Sequence, residues 1–204
     1  MESARKQQVE KRNLLSSFFI TLLIGLAYQE MVEPVRASVR AFGIRPDTFL
    51  LMAIFFMTSM RFFVGNQLHL LSESLATMPG LVWFYDLMII IAQSVVLIFL
   101  GGVSSAEINH EVRVGFIQLL VTLYLIDVIW ITSQWLLGKL FPSWRRSFIP
   151  WAWAILNSVL ILSIMLLNLL VQDLYSISGI VIIFVLNLIA FIVDVILVDY
   201  YDAI

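Results

Sequence analysis

One arginine lies near the middle of an apolar stretch that is long enough to cross a lipid bilayer. The stretch runs from Phe49 to Leu71, and the arginine is Arg61. An ionisable side chain at membrane depth is costly, so it is expected to face partners within the protein or to serve a function. Three other apolar stretches each contain an aspartate, namely Asp86, Asp127 and Asp194. We therefore expect these four side chains to meet inside a helical bundle.

The composition supports a membrane protein. Hydrophobic residues make up 61% of the 204 residues, against roughly 45–50% apolar residues in an ordinary soluble domain. The net charge of −2 is too small to indicate nucleic acid or another acidic partner. The sequence has no cysteine, which excludes disulfides, thiolate metal sites and cysteine nucleophiles.

Apolar runs of about 20 residues, the length that a helix needs to cross a bilayer core, occur repeatedly along the chain. They predict an all-α fold, a bundle of six transmembrane helices, over about 14–33, 48–71, 81–100, 114–137, 151–171 and 177–200. Residues 1–13 form a basic tail, and residues 35–42 predict a short amphipathic helix on the membrane surface. The whole chain, 1–204, is expected to form a single transmembrane domain.

The first span has two interpretations. Its basic start and the apolar run from Leu14 to Ala27 are compatible with a cleaved secretory signal. Ser17, Thr21 and Gly25, however, recur every four residues and form a small-residue stripe of the kind that lets membrane helices pack closely. The stripe favours a retained first helix that packs on a neighbour.

The distribution of lysine and arginine predicts the orientation. With the N-terminus inside, seven basic residues are cytoplasmic and four are outside: Arg5, Lys6, Lys11, Arg12, Lys139, Arg145 and Arg146 against Arg36, Arg40, Arg45 and Arg113. Because cytoplasmic loops are enriched in basic residues, both termini are expected to be cytoplasmic, in a plasma or bacterial inner membrane. An interfacial aromatic belt is predicted at the same face, from Trp83, Trp135, Trp144, Trp151 and Trp153.

Polar residues recur within the spans at helical spacing. A separation of seven residues returns to nearly the same face of a helix. That separation relates Asp86 to Gln93, Asp127 to Gln134, and Asn187 to Asp194. Lipid does not satisfy polar groups, so these faces are expected to point into the bundle.

Two further helices carry polar faces. Arg61, Gly65 and His69 share one face of the second helix, and Gly65 is expected to let a neighbour approach closely. On the fifth helix, Asn157 and Asn168 are eleven residues apart and also share a face. His69 is expected to be an interfacial polar residue rather than a metal ligand, because too few candidate ligands surround it.

Counting residues from the predicted cytoplasmic ends places five polar residues within roughly one helical turn of one another in depth. This predicted polar cluster comprises Arg61, Asp86, Asp127, Asn157 and Asp194, with Gln93, Gln134 and Asn187 as accessory polar residues. Arg61 is expected to pair with Asp86, because their helices are consecutive and their depths differ by roughly 4.5 Å.

One arginine and three aspartates, all ionised, would carry a net charge of −2. A buried site holds that charge poorly, so either one aspartate binds a proton or a cation binds among the carboxylates. Asp127 is the furthest from either interface and is the carboxylate expected to be neutral. In the alternative interpretation the buried charges only hold helices together.

These observations predict a small proton- or cation-linked transporter or channel. A membrane-embedded assembly or regulatory subunit is the alternative. The expected partners are the lipid bilayer and either a second copy of the chain or a membrane partner subunit. The motifs HExxH and GxSxG and a phosphate-binding glycine loop are missing from the sequence, so an enzyme is not expected, and neither is a cofactor, a metal site or a nucleic-acid partner.

Overall fold

The computed structural model describes residues 2–42, 45–71, 80–105, 109–144, 151–170 and 173–202. These ranges hold six long helices and no strand: α1 (Glu2–Phe42), α2 (Pro46–Leu71), α3 (Gly80–Ser105), α4 (His110–Leu140), α5 (Trp151–Leu170) and α6 (Ile177–Asp202). A short 3-10 helix, Pro142–Trp144, follows α4. Each of the six contains a segment long and apolar enough to span a membrane. The predicted all-helical fold with six candidate spans is confirmed.

The helix α1 is longer than the predicted first span and continues for 41 residues. A separate surface helix over residues 35–42 is therefore not confirmed, because these residues extend α1. Pro34 lies inside α1, where it removes one backbone donor. Alanine and arginine, both strong helix formers, account for four of the eight residues that follow it, which favours continuation of the helix.

The helix directions alternate, so the start of α1 and the end of α6 lie at the same end of the bundle. The Arg12 guanidinium lies over the Trp83 ring, which places the start of α1 beside the start of α3. The Arg61 to Asp194 contact places the second half of α2 beside the second half of α6. We call the half of the bundle that contains the start of α1 and the end of α6 the terminal half.

The helix α2 lies in the middle of the bundle and has the largest buried share of the six candidate spans. Its backbone packs against α1, α3 and α6. Its side chains reach the other two helices, Thr58 contacting Tyr124 on α4 and Arg61 contacting Asn157 on α5. A polar residue on α2 can therefore meet groups from every other helix.

The two halves of the bundle differ in polarity. The main apolar core lies mostly outside the terminal half and includes Leu51, Phe55, Leu100, Phe116, Leu120, Ile164 and Ile180. The buried charged and amide side chains of the spans lie mostly in the terminal half. The other half, which we call the apolar half, supplies most of the hydrophobic packing, and the terminal half holds the candidate site.

The helix α1 packs against α3 through a close approach at Gly101. A Cβ atom at Gly101 would lie 2.4 Å from the carbonyl oxygen of Ala27, so only glycine fits there. The Tyr28 hydroxyl is hydrogen-bonded to the Ser59 hydroxyl on α2 at 2.8 Å. These contacts fix the second half of α1 in the bundle.

The small-residue stripe of α1 does not make this contact. Thr21 and Gly25 are exposed, and a Cβ atom at Gly25 would meet nothing within 4 Å. The packing face instead carries the buried residues Ile20 and Ala27, which are seven residues apart. The prediction that the stripe packs on a neighbouring helix of the bundle is wrong, because Ala27 lies on the opposite side of α1 from Gly25.

Candidate functional site

Arg61 on α2 forms a buried salt bridge with Asp194 on α6. Its Nε donates to Asp194 Oδ2 over 2.5 Å, and the two side chains are 3% and 9% exposed. The indole Nε1 of Trp153, on α5, donates to Asp194 Oδ1 over 3.0 Å. The guanidinium carbon of Arg61 also lies 5.7 Å from the centre of the Tyr124 ring, a cation–π contact. Three other helices therefore hold this arginine or its carboxylate partner.

Gly65 gives Trp153 the room to reach Asp194. A Cβ atom at Gly65 would lie 0.9 Å from the ring carbon Cη2 of Trp153. The predicted close approach at Gly65 is confirmed, with an indole ring rather than a helix backbone in the space. Trp153 is half-buried, whereas Trp135 and Trp151 are exposed, so Trp153 also belongs to the polar network.

Asn157 on α5 connects Arg61 to Asp127 on α4. Arg61 Nη2 donates to Asn157 Oδ1 over 3.1 Å, and Asn157 Nδ2 donates to Asp127 Oδ2 over 2.7 Å. Arginine only donates hydrogen bonds, so the amide oxygen of Asn157 must face Arg61 and its NH₂ group must face Asp127. Asp127 Oδ2 is therefore held as an acceptor.

The other oxygen of Asp127 faces two further amides. Gln93 Nε2 donates to Asp127 Oδ1 over 3.1 Å, and Asn66 Nδ2 on α2 donates to Gln93 Oε1 over 3.0 Å. The Asn66 Oδ1 atom is buried and has no hydrogen-bond partner among the described residues. Asp127, which is 1% exposed, thus accepts hydrogen bonds from two neutral amides.

Asp86 on α3 is fully buried in a second group of polar side chains. Its Oδ1 accepts from Trp130 Nε1 over 3.0 Å and from Gln134 Nε2 over 3.2 Å. Its Oδ2 lies 3.3 Å from Nε2 of His69, whose ring also packs edge-on against Trp130 at 4.7 Å. His69, which was expected at the interface, is a partner of a buried carboxylate.

The predicted pairing of Arg61 with Asp86 is wrong. Asp86 lies at the level of His69, eight residues beyond Arg61 on α2, which corresponds to roughly 12 Å along the helix axis. Counting residues inward from the helix ends placed the two side chains too close in depth. The arginine reaches Asp194 and Asn157 instead.

The helices α3 and α4 meet through their predicted polar stripes. Each helix carries an aspartate followed seven residues later by a glutamine, and the two helices run in opposite directions. Gln93 of α3 donates to Asp127 of α4, and Gln134 of α4 donates to Asp86 of α3. One antiparallel register therefore satisfies both aspartates at once.

Asn187 is buried in a neighbouring layer rather than in the charged network. Its Oδ1 accepts from the Tyr124 hydroxyl and from Thr58 Oγ1, and its Nδ2 donates to the Ile183 carbonyl. Asn168 is exposed, so the face that it was expected to share with Asn157 is not continuous inside the bundle. The last turn of α5 is mostly exposed, which explains this difference.

A separate ion cluster closes the opposite end of the bundle. Asp47 Oδ2, at the start of α2, accepts from Arg113 Nη2 over 2.9 Å and from Arg45 Nη2 over 3.2 Å. Arg113 also donates to the backbone carbonyl of Tyr175 over 3.0 Å, so it joins α2, α4 and the turn before α6. This cluster was not predicted from the sequence.

Five contributors to the polar network were not predicted from the sequence: Asn66, His69, Tyr124, Trp130 and Trp153. His69 shares a helix face with Arg61, and Trp130 shares one with Asp127, so spacing contained a signal for both. Asn66 follows Arg61 by five residues and lies on no predicted stripe.

The described residues contain no group of three or more histidine, aspartate or glutamate side chains that could hold a metal ion. Comparison of the chain with protein-family models, curated proteins and solved structures finds no match. The six apolar helices indicate an integral membrane protein.

Proposed function

We propose that this protein is a proton-linked transporter or channel of a plasma or bacterial inner membrane, in which Asp127 binds the proton. The supporting observation is the distribution of charge. Arg61 forms a salt bridge with Asp194, and His69 lies against Asp86. Among the described residues no cationic side chain forms a salt bridge with Asp127. A buried charge without an adjacent counter-ion is disfavoured, and proton uptake removes it.

The hydrogen bonds on the Gln93 side of Asp127 suit both protonation states. With Asp127 ionised, Gln93 Nε2 donates to Oδ1 and Asn66 Nδ2 donates to Gln93 Oε1. With Asp127 protonated, half-turns of the Gln93 and Asn66 amide groups exchange the positions of their oxygen and nitrogen atoms. The protonated Oδ1 then donates to Gln93 Oε1, and Gln93 Nε2 donates to Asn66 Oδ1. The buried Asn66 oxygen, without a hydrogen-bond partner among the described residues, then gains a donor.

A proton fits this site better than a metal cation. Each oxygen of Asp127 already accepts an N–H group, which leaves a metal cation few free lone pairs to bind. The Arg61 guanidinium is only one amide away, and it repels a second positive charge in a poorly polarisable environment. Of the two coupling ions that the sequence allows, the proton is the one we propose.

The network lies in the terminal half of the bundle. The distribution of lysine and arginine predicts that this half is the cytoplasmic one. Asp127 would then exchange protons more readily with the cytoplasm than with the other side. Access from the opposite side requires a rearrangement of the apolar half, as alternating access in a transporter does.

A membrane-embedded assembly or regulatory subunit is the second candidate. The hydrogen bonds of two buried carboxylates favour it, because both oxygen-rich groups already have donors. Asp194 accepts from Arg61 and Trp153, and Asp86 accepts from Trp130 and Gln134. Buried charges that only join helices need matched partners and no titration. The two candidates therefore differ in whether Asp127 takes up a proton.

The test is proton uptake by the reconstituted protein. A pH jump across proteoliposomes on a solid-supported membrane moves charge when a buried carboxylate binds a proton, even without a known substrate. We expect a transient current from the wild-type protein and none from Asp127→Asn. Asp173→Asn is the matched control, because Asp173 is exposed and lies in the turn before α6.

The Asp127→Asn variant is expected to fold. Its amide oxygen can accept from Asn157, and its NH₂ group can donate to Gln93 after the half-turns described above. The substitution therefore mimics the protonated aspartate. A wild-type current from folded Asp127→Asn protein would overturn the proposed function and leave the assembly role.

A further inference from the structure

A small, partly open cavity lies beside the polar network. It is lined by Arg61, Phe62, Asp127, Trp153, Asn157 and Asp194. Its volume is about 10 Å³. About that much space is needed to hold one water molecule. The cavity is thus large enough for a water and too small for an organic substrate.

Arg61 has one donor nitrogen that the network does not use. Nε and Nη2 donate to Asp194 and Asn157, but Nη1 is buried without a hydrogen-bond partner among the described residues. A buried donor that lacks an acceptor costs free energy, more so when it carries charge. An acceptor in the cavity that Arg61 lines would satisfy this donor nitrogen.

The lining restricts what that acceptor can be. The carboxylates of Asp127 and Asp194 oppose an anion, and the guanidinium of Arg61 opposes a cation. A neutral molecule that both accepts and donates satisfies all three groups. We propose that one water molecule occupies this cavity, accepting from Arg61 Nη1 and donating to Asp127 and to Asp194. Three hydrogen bonds are the usual number for a buried water.

This water would connect two carboxylates that share no direct hydrogen bond in the network. The role of this water rests on the proposed function: it provides a route by which the proton reaches Asp127. When Asp194 takes up a proton, the water turns and accepts from the Asp194 O–H group instead of donating to it. That proton then passes to the water oxygen while the water gives one of its own hydrogens to Asp127. Asp194 loses one proton, Asp127 gains one, and the water is unchanged. A half-turn of the Asp127 carboxyl group then carries the proton to the Gln93 side.

The water is tested by a high-resolution structure of the full chain in a lipid environment. We expect a single density peak within hydrogen-bonding distance of Arg61 Nη1 and of both carboxylates. Phe62→Trp enlarges a side chain that lines the cavity and should remove the peak. Phe56→Trp makes the same change on an exposed face of α2 and should keep it. A wild-type map without this peak, or with a peak that contacts only one carboxylate, would overturn the inference.

The relay is tested by the rate of proton uptake after a pH jump. Phe62→Trp should slow uptake roughly a hundredfold relative to Phe56→Trp, the lower end of what a positioned proton-transfer group contributes. Uptake at the wild-type rate by Phe62→Trp protein that lacks the water would contradict the relay. Uptake by Asp127→Asn would instead contradict the proposed function and leave the water in place. Should Phe62→Trp not fold, the wild-type map decides, because the relay requires both carboxylate contacts.

Discussion

Arg61 and Asp194 form a buried salt bridge between residues that are 133 positions apart in the chain. The bridge joins α2 to α6, and α5 contacts both partners through Asn157 and Trp153. Because the arginine also fixes the orientation of the Asn157 amide, the bridge determines which atom faces Asp127. The salt bridge thus positions the proposed proton site at Asp127.

The first prediction concerns the stability of this pair. Arg61→Gln and Asp194→Asn should each lower stability by about 3–5 kcal/mol, because each leaves the other charge buried and unpaired. The double variant should lose clearly less than the sum. Thermal unfolding in detergent, followed by circular dichroism, measures the three losses. Simple additivity would show that the two side chains do not interact.

A second double-mutant cycle distinguishes the Arg61–Asp194 pair from the Arg61–Asp86 pair that the sequence predicted. Arg61→Gln combined with Asp86→Asn should give losses that add, because Asp86 contacts His69, Trp130 and Gln134 instead of Arg61. Strong coupling between Arg61 and Asp86 would contradict the described geometry.

The second prediction concerns Gly65. Gly65→Ala would drive a methyl group into the Trp153 ring, and overpacking of this kind typically costs about 1–3 kcal/mol. The displaced indole would also lose its hydrogen bond to Asp194, which the tryptophan fluorescence spectrum should report. Gly115→Ala is the control, because a Cβ atom there meets nothing within 4 Å. Equal melting temperatures for the two variants would refute the close contact.

The third prediction separates structure from function. Arg113→Gln breaks the contact with Asp47 at the end of the bundle opposite the polar network. It should lower stability by about 1.5–3 kcal/mol, the range for hydrogen bonds to charged groups. Proton uptake per folded molecule should stay at the wild-type level. A loss of uptake in the folded variant would show that this cluster takes part in function.

Much of the fold could be predicted, because a long apolar run that crosses a membrane has few alternatives to forming a helix. The seven-residue spacing of Asp86 and Gln93 also identified correctly a face that points into the bundle. These are properties of single helices, and they depend only on residues close together in the chain.

The pairing between helices could not be predicted in the same way. The partner of Arg61 depends on which helix packs beside α2 and at what relative height, and helix lengths alone give heights that are wrong by more than a turn. The small-residue stripe of α1 failed for a related reason: spacing identifies a face, but it does not say whether another helix of the chain covers it.

The fourth prediction is the topology. Six membrane-crossing helices would place both termini on one side, and the lysine and arginine distribution predicts that this side is cytoplasmic. Reporter enzymes fused at residue 1 and at residue 204 should both report a cytoplasmic position. Reporters on opposite sides would mean an odd number of spans, most simply because the first is a cleaved signal.

The fifth prediction tests the central claim, that Asp127 itself binds the proton. Infrared spectra of the protein in lipid nanodiscs detect the C=O stretch of a protonated carboxylic acid as the pH is lowered. We predict a band that grows as the pH falls, is retained in Asp173→Asn and is missing from Asp127→Asn. A folded Asp127→Asn protein that keeps the whole band would contradict the claim, because the proton would then reside on another carboxylate.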